Sequence, residues 1–223
     1  MEYTIKDVID YLNHEEFQVE GTGFLEYEIP FDIKPKDFLF YAEQDLNSSL
    51  PHCFVNALSN GKRALDCQVL CLLDIFGLLK HAEKKRWGFP SKIDALKKIG
   101  VIAPRILTKV NKTRNLLEHE FANPNSEQVI DFIDVVALFI ESTKVYMENY
   151  LNFIETAWID DKTMNMEITA DNIVVEFYYT TDEQDEENEE SEDCAPCQIV
   201  ISPEDENFYK IMELYHKKTE KIY

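Results

Sequence analysis

The chain has 223 residues, 45% of them hydrophobic, and a formal net charge of −21. That size and apolar share are enough for one packed domain, or a domain with an appendage, which excludes wholesale disorder. The densest apolar run, Val135 to Ile140, is far short of the ~20 residues a membrane span needs, and a negatively charged average is a poor magnet for bulk nucleic acid.

In chain order, residues 3–13 predict a short helix, with Ile5, Val8, Ile9 and Leu12 at helical spacing. Residues 17–29 alternate apolar and polar around Gly21 and Gly23, which predicts a hairpin closed off by Pro30 and Pro35. Helix signals then dominate 36–158. A first helix starts near Asp37, and Ser48, Ser49 and Pro51 end it. A longer one covers about 53–80, with Gly61 as an internal weak point. HAEKKRWGFPS reads as a basic loop, and Ser91 opens the short helix KIDALKKI, with Asp94 in a capping-box position and Gly100 as its stop. Residues 103–121 predict another helix that Asn123–Pro124 terminates, since the residue before proline avoids the α region. A long amphipathic helix then runs from 125 or 126 to about 158. Beyond 160, residues 164–170, 172–180 and 197–202 read as strands, DEQDEENEESED (182–193) as an acidic loop, and 204–220 as a last helix with acids first and lysines last. The expected fold class is therefore mainly α: an antiparallel helical bundle at 36–158, an N-terminal helix and strand segment at 1–35, and a small α+β appendage at 159–223.

The net charge conceals a partition. Residues 1–33 carry one basic and nine acidic side chains, residues 34–121 carry fifteen basic and nine acidic, and residues 122–223 carry six basic and twenty-five acidic. The basic middle contains the four arginines, Arg63, Arg86, Arg105 and Arg114. The plain reading is that charge varies along any chain; the sharper one is that the basic middle meets polyanions while the acidic ends tune or shield it.

Within that middle, KVNKTRNLLEHEFANP (109–124) brings Arg114, Asn115, Glu118 and His119 to the end of a predicted helix. The segment resembles the HEPN superfamily, helical bundles whose signature is an arginine, four to six residues, then a histidine; here it reads RNLLEH, with a polar residue directly after the arginine. The resemblance covers about 36–158 and includes the upstream helix VNALSNGKRALDCQVLCLL and the long helix after Asn123–Pro124. It implies a metal-independent endoribonuclease, of the toxin or phage-defence kind, working as a homodimer that brings two motifs into one groove. The family also implies an alternative, a non-catalytic module that binds RNA, a nucleotide or a protein partner such as an antitoxin.

The residue types suit the chemistry. A ribose 2′-hydroxyl must lose a proton to attack the adjacent phosphate, and the leaving 5′-oxygen must gain one; an imidazole with an ordinary pKa near ~6.5 does either. A guanidinium stays charged and presents a planar fork to phosphate oxygens. A five-residue offset separates two side chains by about 140° on an ideal helix, so one helix does not aim both at one phosphate, whereas Asn115 and His119, four apart, share a face. Without the resemblance, the same residues read as an Arg114–Glu118 surface pair and a histidine at a helix C-terminus.

Lys84, Lys85 and Arg86 beside Trp87 and Phe89, with Lys62 and Arg63, are the candidate RNA-binding residues, or else a solvated basic loop around a core tryptophan. Cys194 and Cys197 form a CxxC, but no second CxxC or HxxxH completes a zinc set, so no metal site and no cofactor is expected. Cys67 and Cys71 lie in an apolar stripe and read as core. Five cysteines, an odd number, and an N-terminus without an apolar stretch lead to the expectation of free thiols and a cytoplasmic location. Glycine-rich phosphate loops and the G-x-S-x-G elbow are absent from the sequence.

Overall fold

Thr4 and Asp7 start the first helix: the Asp7 carboxylate accepts from the Thr4 backbone N–H at 2.7 Å, giving a donor at the helix start its partner. The structure, a computed structural model, describes residues 3–101, 125–179 and 196–222. Among them are seven α-helices and five strands. In chain order they are α1 (Ile5–Asn13), β1 (Val19–Leu25), α2 (Pro35–Leu46), α3 (Cys53–Ile75), α4 (Leu79–Lys84), α5 (Phe89–Lys98), α6 (Ser126–Glu148), β2 (Tyr150–Thr156), β3 (Lys162–Ile168), β4 (Ile173–Tyr179), β5 (Cys197–Ile201) and α7 (Phe208–Thr219).

The strands form a single antiparallel sheet in the order β1-β2-β3-β4-β5. This overturns the mainly-α expectation with a small appendage. Two misreadings account for it. The segment after Glu148 continues the apolar content of α6, yet Asn149 leaves the helical region and Tyr150–Thr156 pairs as a strand. Residues 17–29 hold one strand rather than a hairpin, and the Glu155 and Phe153 side chains of β2 lie over Gly21 and Gly23. With β1 and β2 added to the three C-terminal strands, the sheet becomes a full layer.

One face of that sheet is buried. Met164, Met166 and Ile168 alternate along β3, and Ile173, Val175 and Phe177 along β4. Helices α1 and α7 cover this face: Tyr11 meets the Phe177 ring edge-on at 5.6 Å, and Tyr215 donates to the Leu151 carbonyl at 2.7 Å. The second layer is α2, α3 and α6. Here Gly61 of α3 has a specific cause, because a Cβ there would strike Ile133 and come within 2.9 Å of Phe132 on α6. The two helices approach closely where the smallest residue permits it. Buried side chains from both layers belong to one continuous core.

The long helix predicted for 53–80 stops at Ile75. Gly77, at φ 69°, takes the left-handed position, and Leu78 N–H reaches back to the Leu73 carbonyl at 2.7 Å. Of the segment read as a basic loop, 81–91, His81 to Lys84 fall in α4 and Phe89 to Ser91 in α5. Between the strands expected at 164–170 and 172–180 the chain turns at Ala170 and Asp171, closed by Thr169 and Asn172.

Candidate functional site

Arg114, Asn115 and His119, together with the helix expected at 103–121, the acidic run 182–193 and Cys194, lie outside the described residues. The structure describes the frame on either side of the motif. On the N-terminal side, α5 ends at Lys98, and Ile99 and Val101 are buried. The Ile99 carbonyl accepts a hydrogen bond from Nδ1 of His216 on α7. His216 is buried among Phe76, Tyr146, Tyr150 and Tyr215. Its Nε2 lies 3.4 Å from the Tyr150 hydroxyl, and burial pushes its pKa down to about 4 against the contrary pull of the Ile99 bond. At neutral pH it is thus an uncharged strut that fixes where the chain enters the motif segment. On the C-terminal side, Asn125 caps α6, its side-chain oxygen accepting from Glu127 N–H at 2.9 Å.

The candidate RNA-binding residues fall into two places. Arg63 is exposed and Lys62 half-buried on α3, about 18 Å before its C-terminal end at ~1.5 Å per residue. Lys84, Lys85 and Arg86 follow the turn at that end and are all exposed. Arg86 has φ 53°, and Trp87 N–H bonds back to the Ala82 carbonyl at 2.9 Å, so an arginine occupies the position at which a helix usually ends in glycine. Trp87 packs edge-on against His81 at 5.3 Å, which anchors the turn.

These cations are partly engaged. Lys84 meets Glu204 at 2.7 Å, and Lys80 meets Asp171 at the same distance, both pairs being solvent-exposed. The bond from Lys84 and its charge hold the Glu204 carboxyl below the usual carboxylate range. A groove of about 260 Å³ lies between α4 and the turns before β4 and α7; Lys80, His81, Lys84, Asp171 and Glu204 are among its lining residues. Burial and the neighbouring Lys85 and Lys84 lower the His81 pKa, against the opposite effect of Glu204. His81 reads in the sequence as isolated. Its carboxylate neighbours come from more than a hundred residues downstream in one case and ninety in the other, and no local spacing signals them.

The cysteines behave as separate features. Cys67 and Cys71 are buried free thiols on α3, and Cys197 is a free thiol at the start of β5. A hydrogen bond from Cys71 pulls the Cys67 thiol down and raises its own. Among the described residues no group of histidines, cysteines and carboxylates is arranged to hold a metal ion, and no helix is long and apolar enough to cross a membrane. No family model, no curated protein and no solved structure matches the chain.

Proposed function

We propose that the chain is a metal-independent endoribonuclease of the HEPN type. The observation that carries this reading is the motif RNLLEH at 114–119, set in the basic part of an acidic chain. In the proposed reaction, Arg114 binds the scissile phosphate and offsets the charge that grows on its oxygens. His119 takes the 2′-hydroxyl proton or protonates the leaving 5′-oxygen, and Asn115 on the same helical face orients the imidazole. The 140° between the two motif positions makes a second copy part of the proposal, one motif completing the other across a groove. The exposed cations Arg63, Lys84, Lys85 and Arg86 supply phosphate contacts, Lys84 on release from Glu204, with the half-buried Lys62 beside Arg63. A cytoplasmic location goes with this reading, and the free thiols are compatible with it.

The charge of −21 favours a second reading, a HEPN module that binds RNA, a nucleotide or a protein partner without cleaving anything. Incubating purified protein with total RNA in EDTA separates the two. Cleavage that falls by about 100-fold or more in both Arg114→Ala and His119→Ala is expected of the nuclease, given what acid–base catalysis contributes. Cleavage unchanged in either folded variant overturns the catalytic assignment. RNA binding without cleavage in the wild type selects the second reading.

A further inference from the structure

Helices α2 and α6 run side by side and leave a groove of about 730 Å³ between them. Its floor is apolar, formed by Leu39 and Phe40 from α2 and Ala137, Leu138 and Ile140 from α6. Phe40 is 53% exposed and Leu138 68% exposed, so two large apolar side chains stand in water at one place. The stripe continues along the same face of α6, where Ile130 lies two turns before Leu138 and is also exposed.

The rim has a sign. Glu43 closes the α2 side, and Asp134 and Glu141 flank Ala137 and Leu138 on α6; among the described residues Lys36 is the one cation lining the groove. Lys144 reaches Glu141 at 3.6 Å and divides its charge with Glu148 at 3.5 Å. Glu43 and Asp134 have no cationic partner among the described residues. Each helix thus presents the same pattern, with an apolar step at i+3 and i+4 and a carboxylate at i+7. A helix laid in such a groove would insert apolar residues at i, i+3, i+4 and i+7 and set its flanking charges against the rim.

We propose that the α2–α6 groove is a docking site for a cationic amphipathic helix of a protein partner. Charge selects this occupant. A second copy docked through the same groove would set Glu43, Asp134 and Glu141 against their own counterparts, whereas a basic helix turns the rim from repulsive to attractive. The proposal is independent of the ribonuclease reading, because it uses none of the motif residues.

The test uses the full chain and a labelled peptide of about 18 residues, roughly five helical turns, made only of leucine and lysine with leucines along one helical face. Its twin carries glutamate in place of lysine. Fluorescence anisotropy is measured for wild type, for Phe40→Ser with Leu138→Ser, and for Glu43→Lys with Asp134→Lys; thermal melts check that both variants are folded. The expected result is binding of the lysine peptide alone, weakened at least about tenfold by each variant pair. No binding, equal binding of the glutamate twin, or a loss confined to the charge pair overturns the proposal, the last because it reports only the general acidity of the chain. Sedimentation that shows dimers broken by Phe40→Ser with Leu138→Ser assigns the groove to a second copy and overturns it as well.

Discussion

The helical layer of α2, α3 and α6 and the sheet layer with α1 and α7 share one core but are held in different ways. The α3–α6 contact is almost wholly apolar and depends on close approach at Gly61. There the buried Gln68 donates to the buried Thr143 at 2.7 Å, while its carbonyl oxygen has no partner among the described residues. The sheet layer is tied by directed hydrogen bonds across long stretches of chain. Tyr11 donates to the Ala157 carbonyl and lies 2.9 Å from the Thr156 hydroxyl, Tyr215 bonds to Leu151, and His216 bonds to Ile99. Closing large loops costs chain entropy. Where the layer is assembled from the two ends of the chain, specific polar contacts fix the register; where two long helices meet, shape suffices.

The sheet layer should break first with acid. The pKa of His216 is about 4 in the folded protein, against ~6.5 when unfolded. Between those values the unfolded chain binds a proton that the native chain refuses. Stability from this site is therefore complete above pH ~6.5 and is lost as pH falls toward 4, by about 3 kcal/mol at 1.36 kcal/mol per unit. Urea unfolding of wild type and His216→Gln at pH 7 and pH 4 reads this directly. The wild type should lose about 3 kcal/mol more than the variant over that interval, and parallel losses would show that the buried imidazole is not the acid-sensitive strut.

The helical layer should break by volume instead. Gly61→Val places two methyl groups where Ile133 and Phe132 already stand, and overpacking of this kind costs about 2 kcal/mol. The effect should be the same at pH 7 and pH 4, in contrast to that of His216. A variant as stable as wild type would mean that α3 and α6 separate without penalty.

The same contrast explains which parts of the fold were legible in the sequence. Helices α3 and α6 carry their apolar residues at 3.6-residue spacing, so their existence can be read locally, and β3, β4 and β5 show alternation that can be read too. Strand β2 could not be read: Tyr150–Thr156 follows an apolar helix with only Asn149 to mark the change, and its pairing with Val19–Leu25 is set by residues far away in sequence. Gly61 reads as a flaw in a helix until its neighbour on α6 is known. For the candidate site, Lys85 and Arg86 are exposed as a basic segment should be, but the engagement of Lys84 by Glu204 depends on the C-terminal part of the chain folding back. The motif itself, Arg114 to His119, is a sequence observation and rests on the resemblance.

Gln68 sharpens the comparison from the other side. Replacing Gln68 with Met removes a buried carbonyl that accepts no hydrogen bond among the described residues, while the Thr143 hydroxyl keeps its bond to the Phe139 carbonyl at 2.7 Å. An unsatisfied buried acceptor costs ~1–3 kcal/mol, and the amide–hydroxyl bond that is given up offsets part of it. Equal stability or a gain of about 1 kcal/mol is expected by chemical denaturation. A loss of that size would show that the amide specifies how the two helices pair.

The smallest effect lies on the seam between the layers, where α4 meets the turns of the sheet side through Lys80 and Lys84. Arg86 sits in the left-handed region at φ 53°, a conformation that costs a side chain about 1 kcal/mol relative to glycine. Glycine surrenders part of this through its greater freedom when unfolded. Arg86→Gly should therefore raise stability by about 0.5 kcal/mol in a thermal melt. Anisotropy with a labelled single-stranded RNA on the same variant separates turn from charge. If stability rises while RNA affinity falls, the guanidinium is held at a strained turn for its contact with phosphate. If stability rises and affinity is unchanged, Arg86 is removed from the RNA-binding set, and Lys84, paired with Glu204, and Lys85 remain as exposed cations there.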